Sequence, residues 1–212
     1  MKKLLMATGS ALLLTIASTA HCAEGLYVSG NVGASIPVDS DMIDSAVPGL
    51  TMTFASKTGI AAGIALGYDF GNNTRLEAEY AYQQNDMDTV STIGVTLPIT
   101  AGDTTVNAGL INGYYDFANG SAFTPFISAG AGLAKIDVSP LTIAGATSTA
   151  IDDTVFAYQA SVGVGFAASP TVTIDVKYRY FGTADPTFTY PGGTVSGEYS
   201  SHNFYGGVRI AF

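Results

Sequence analysis

The stretch Arg75-Leu76-Glu77-Ala78-Glu79-Tyr80-Ala81-Tyr82-Gln83 alternates charged or polar residues with apolar ones at every step. A period of two sends successive side chains to opposite faces of a strand. Leu76, Ala78, Tyr80 and Tyr82 share one face, and Arg75, Glu77, Glu79 and Gln83 share the other. A strand with three charges on one face and none on the other separates a polar space from an apolar one. The same design returns 98 residues later as Ile174-Asp175-Val176-Lys177-Tyr178-Arg179-Tyr180.

Working outward, the alternation marks eight segments. The first, Leu26 to Ile36, sets Leu26, Val28, Val32, Ala34 and Ile36 against Tyr27, Ser29, Asn31 and Ser35. The second runs from Ile60 to Phe70 with Asp69 opposite the apolar set, and the third is the stretch quoted above. The fourth, about Thr105 to Phe117, alternates cleanly only in its second half, as if a bulge lay upstream. The fifth covers Ile127 to Ala134, the sixth Phe156 to Phe166, the seventh Val172 to Tyr180 and the eighth Phe204 to Phe212.

The connections alternate in length. Short turns rich in Asn, Gly, Ser and Pro follow Phe70, Phe117 and Ala168. The remaining four connections, about 37–56, 85–104, 137–153 and 182–200, are long, and long loops without a pattern of their own are usually functional or mobile. Two apolar runs inside them, Thr51-Met52-Thr53-Phe54 and Ile93 to Ile99, suggest strands that outrun the barrel or sticky loop tips.

Residues 1–23 read as a secretory signal peptide. Lys2 and Lys3 precede an apolar run from Leu4 to Ala17, and small residues follow. Cleavage fits Ala23, with Ala20 as the other small-residue position; His21 before Cys22 fits a lipid-attachment box badly. Residues 24–212 then form one domain. The single cysteine excludes a disulfide framework, and a net charge of −9 argues against nucleic acid as a partner. Disorder is excluded by 47% hydrophobic residues with only 12% charged.

Nine charged residues lie within the segments: Asp69, Arg75, Glu77, Glu79, Asp116, Asp175, Lys177, Arg179 and Arg209. All nine share the face opposite the large apolar set, while Lys135 sits at a strand end. In a soluble barrel the apolar set would point inward, and in an outer-membrane barrel the assignment reverses. Three features favour the membrane. Glycines accompany the charged set, as a crowded lumen requires. Aromatics gather at both ends of the apolar face, as interfacial girdles do. Long and short connections segregate to opposite ends. The fold class read from the sequence is therefore all-β, an eight-stranded antiparallel up-and-down transmembrane β-barrel.

The chain resembles the small eight-stranded outer-membrane barrels: the OmpA transmembrane domain, OmpX and the opacity-type surface antigens. Leu26-Tyr27-Val28-Ser29-Gly30, Gly67-Tyr68-Asp69-Phe70, Asn112-Gly113-Tyr114-Tyr115-Asp116-Phe117, Tyr178-Arg179-Tyr180-Phe181 and the terminal Phe212 carry the resemblance. It implies a Gram-negative outer-membrane location, contact with outer-membrane lipid and lipopolysaccharide, and a last strand (Val208, Ile210, Phe212) read as a signal by the barrel-assembly machinery.

The strand charges number five acids and four bases, nearly balanced. Arg75, Glu77, Glu79, Asp175, Lys177, Arg179 and Arg209 are expected to form a cross-lumen charge network. The internal alignment sets Glu77 level with Asp175 and Glu79 level with Lys177. The long connections carry eleven acids, with only Lys57 and Lys135 near them. Asp39-x-Asp41 and Asp86-x-Asp88 have calcium-like spacing, but no complete binding loop follows, so no metal and no cofactor is expected. The expected function is a structural surface protein whose acidic loops serve adhesion, antigenic display or envelope integrity, with host or neighbouring-cell molecules as partners. A narrow pore for ions or small solutes is the second reading. A lipid-modifying enzyme built on His202 and Ser200 is the third, and catalysis is not expected.

Overall fold

The computed structural model describes residues 24–47, 49–190 and 192–212. The signal segment read at 1–23 lies outside them. Among the described residues fifteen strands form. In chain order they are β1 (Gly25–Pro37), β2 (Ser40–Asp44), β3 (Thr51–Ser56), β4 (Gly59–Asp69) and β5 (Thr74–Thr92). Next come β6 (Val95–Ala101), β7 (Asp103–Asp116), β8 (Phe123–Val138), β9 (Thr142–Ile143) and β10 (Ala146–Thr147). The last are β11 (Ile151–Ala167), β12 (Val172–Thr183), β13 (Thr187–Tyr190), β14 (Gly193–Gly197) and β15 (Ser200–Ala211).

Eight of these strands close a ring in chain order: β1, β4, β5, β7, β8, β11, β12, β15 and back to β1. Every neighbouring pair is antiparallel. The closing pair runs from Tyr27↔Ala211 to Pro37↔Ser201, so neither terminal strand has a free edge. In hydrocarbon an open edge would strand unpaired backbone groups at several kcal/mol each. The alternation has its physical meaning here. Val32 is 67% exposed on the outer face, while Arg75, Glu77 and Glu79 are buried on the inner one.

The short turns are built by their own side chains. Asp69 accepts a hydrogen bond from the Gly71 amide, and Asn72 accepts from Thr74, with Gly71 and Asn73 at positive φ. Asn119 accepts from the Ser121 amide, and Ser169 from the amides of Thr171 and Val172.

The fourth segment has no bulge. β7 pairs with β5 and β8 in unbroken register from Asp103 to Asp116. Its upstream half reads poorly because its polarity inverts. Val106, Ala108 and Leu110 point inward and are buried, against Ala134 and Ile136.

The long connections are not irregular loops. They fold into hairpins that stand on the barrel as a crown. The pair β2/β3 joins the extended top of β5, β5 turns into β6, and β6 meets β9. On the other side β13/β14 joins β2. The apolar runs at 51–54 and 93–99 are thus largely strand, in β3 and β6.

Candidate functional site

Two regions hold the polar chemistry: the lumen of the barrel and the crown above it. The lumen charges fall into two clusters. In the lower cluster the Arg75 guanidinium donates two hydrogen bonds to Asp116, from Nε at 2.6 Å and Nη2 at 2.8 Å. Arg75 also donates to Tyr27 Oη at 3.2 Å and lies 3.6 Å from Glu77. Tyr27 in turn donates to Glu77 at 2.8 Å. Arg209 reaches Asp175 at 3.4 Å, and both Arg75 and Arg209 lie against the Tyr27 ring. The ring crosses Gly67 so closely that a Cβ there would sit 2.2 Å from Tyr27 Cζ.

In the upper cluster Arg179, fully buried, sets Nη2 at 2.7 Å from both oxygens of Glu79. Asn112 donates to the same carboxylate at 2.6 Å and accepts from Gln159 at 2.8 Å. Lys177 and Arg179 both lie 5.1 Å from the centre of the Tyr205 ring. Glu79 therefore meets Arg179 rather than Lys177, which enters no ion pair among the described residues. Glu77 stays with Arg75 on its own strand, and Asp175 goes to Arg209. Strand tilt separates residues that a linear alignment sets level.

The neutral partners Tyr27, Asn112, Tyr114, Gln159 and Tyr205 complete this packing. Their signal in the sequence is parity: each falls on the charged face of its segment. Two small voids beside the clusters have volumes of about 20 and 10 Å³, each with room for about one water at most.

The terminal residues Val208, Ile210 and Phe212 are all exposed on the outer face, where β15 pairs β1 and β12. His202 is half-buried, and its Nδ1 lies 2.7 Å from Tyr178 Oη. Ser200 is buried, and no hydrogen bond joins it to His202 among the described residues.

The crown inverts the order of the barrel. Its acids point outward, and several stitch hairpins together. Asp44 accepts from Tyr190 Oη at 2.8 and 2.9 Å, joining the first long connection to the last. Asp153 accepts from the Thr187 amide at 2.7 Å, and Asp103 from Ser139 Oγ at 2.7 Å. Asp41 accepts from Thr53 at 2.6 Å. The Asp44 hydrogen bond raises the Tyr190 pKa above its ordinary value. Lys57 pairs with Asp88 at 3.4 Å, and Lys135 with Asp137 and Asp152. No group of three or more potential metal ligands occurs among the described residues.

The β5/β6 hairpin ends in Ile93-Gly94, both at positive φ. Ile93 is 87% exposed, at a turn position that favours Asn.

The sequence matches the family described as outer membrane protein beta-barrel domain over residues 8–212. It is 30% identical over 190 residues to outer membrane protein PagN of Salmonella typhimurium, covering 80% of this chain and 79% of PagN. A Rickettsia conorii protein whose name includes the word adhesin is 32% identical over 119 residues, 50% of this chain and 48% of that one. The crystal structure of Neisserial surface protein A superposes with a TM-score of 0.52 at 21% identity, covering 89% of this chain and 97% of that one. At that identity the likeness speaks to the fold alone.

Proposed function

This chain belongs to the outer membrane protein beta-barrel domain family and resides in the outer membrane, and on that premise we propose that its crown binds partners outside the cell while its barrel serves as a sealed pedestal. The observation that carries this reading is the contrast between a filled lumen and a folded crown. Arg179 and Glu79 meet across the lumen, and the voids beside the charge clusters have room for about one water each. Above them, inter-hairpin hydrogen bonds hold the crown in one arrangement. A contact surface benefits from such order, because less freedom is lost on binding.

The partner we infer is a surface molecule carrying positive charge. Eleven acids against two bases surround the crown. The exposed Ile93 supplies an apolar contact at a tip where backbone strain is retained. The Rickettsia relative's name supports adhesion as the role. Catalysis is outside this reading, since the His202 imidazole is engaged by Tyr178 rather than by a nucleophile. The outward face of β15 is where we assign recognition by the assembly machinery, through Val208, Ile210 and Phe212.

The test is attachment of bacteria displaying the protein to host cells over a range of salt concentration. Attachment should weaken as salt rises, and a variant with Asp39, Asp185 and Glu198 neutralised should show a shallower dependence. Discrete channels in a planar bilayer, with attachment unaffected by the crown charges, would replace this reading with a pore.

A further inference from the structure

Inside the crown lies a cavity of about 400 Å³. That is within the range of small-molecule sites, about 300–1,000 Å³. It sits where two apolar clusters meet. One is the top of the barrel core around Ile136, Val138 and Phe188, and the other is the outer cluster of Met87, Val90 and Ile99. Leu141 packs against both. Among the described residues no charged side chain lines the cavity. Met42, Met52 and Met87, the methionines of the described residues, all line it. Methionine is the side chain that adapts most readily to variable apolar shapes. The hydroxyls of Ser56 and Thr104 are turned onto the Met87 sulfur, at 3.2 and 3.4 Å. The wall therefore offers water few partners, and an apolar cavity of this kind favours an apolar guest over water.

The shell around the cavity is predominantly acidic, its two cations being Lys57 on Asp88 and Lys135 on Asp137 and Asp152. Along the crown strands, lining residues alternate with acids that face outward: Asp39-Ser40-Asp41-Met42, Asp86-Met87-Asp88 and Asp137-Val138. A guest that enters from outside passes through this negative field, which concentrates cations and repels anions. We propose that the cavity binds one single-chain alkyl amphiphile with a positively charged head, taken from the external medium, with the chain among the methionines and the head at the acidic rim. The cavity itself lies inside the crown, beneath the outer contact surface, and shares acidic residues such as Asp39 with it only at the rim.

The experiment uses the protein in lipid nanodiscs with carbon-13 methionine, isoleucine and valine methyl groups. Dodecylammonium, dodecanol and dodecanoate are the probes, with partition into empty nanodiscs subtracted. Dodecylammonium should shift the Met42, Met52 and Met87 signals and saturate at one molecule per barrel. At low salt it should bind about tenfold or more tightly than dodecanoate, with dodecanol between them and the gap closing as salt rises. Ile143→Trp and Val195→Trp, on different hairpins, should each abolish the saturable shift by filling the cavity. Absence of a saturable methionine shift in the wild-type protein overturns the proposal without reference to either variant. Equal binding of the anion at low salt overturns it too, as does a response confined to lipid-facing methyls such as those of Ile64 and Val176.

Discussion

The barrel and the crown are made from one continuous sheet, yet their polarity is opposite. In the barrel, Glu79 and Arg179 are inside and Ile64 and Val176 outside. In the crown, Met87 and Val138 are inside and Asp86 and Asp137 outside. The strands β5 and β8 pass through both regions without a break, so the backbone does not set the difference. The surrounding solvent does. Lipid rewards apolar residues outside and leaves the polar ones to satisfy one another in the lumen. Water above the membrane restores the ordinary order, with apolar residues inside.

The strongest way to test this comparison is to break the buried pair. Glu79→Ala leaves the Arg179 charge uncompensated in the lumen, which should destabilise the barrel by about 3–5 kcal/mol. The temperature of the heat-dependent shift in gel mobility reads that loss. An unchanged transition would remove the pair from the stability of the barrel. The double replacement of Glu79 and Arg179 by Met should recover much of it.

Gly67→Ala is next. The added Cβ meets the Tyr27 ring, which the two arginines hold in place, so about 1–3 kcal/mol of overpacking is expected in the same assay. A neutral result would mean that the lumen yields more easily than its packing implies.

In the crown the effects should be local. Asp44→Asn should speed hydrogen exchange at the β2/β14 amides while leaving the barrel transition in place. The pH dependence has a definite sign. The Asp44 contact raises the Tyr190 pKa, so its contribution is present below the ordinary tyrosine value and is lost as pH climbs through the raised one. Resonances of Tyr190 should therefore titrate later in the wild type than in Asp44→Asn. The smallest effect has the opposite direction. Ile93→Asn should stabilise the β5/β6 hairpin by about 1 kcal/mol, because Asn tolerates the left-handed backbone better. If Ile93 serves contact, the same change should weaken attachment.

Much of the barrel was legible because lipid and lumen impose a strict period of two. Segments two and seven read cleanly, since each residue meets one environment or the other over the whole length. The fourth segment did not, because β7 crosses from one environment to the other. Val106 and Ala108 look misplaced only if a single rule is applied throughout. The pairing within the lumen was also hidden. Parity places Glu79 and Arg179 in the same space, but strand tilt decides which cation reaches which carboxylate.

By itself the sequence determined the alternation, the number of barrel strands, the side on which the charges lie and the segregation of long connections from short. Those features follow from local periodicity and turn chemistry, which need no knowledge of distant residues. Only the tertiary structure decided that the long connections become a hydrogen-bonded crown, that Asp44 holds Tyr190 from 146 residues away, and that three methionines from separate strands surround one cavity. These depend on which strands become neighbours when the sheet closes, and no residue carries that information in its own surroundings along the chain.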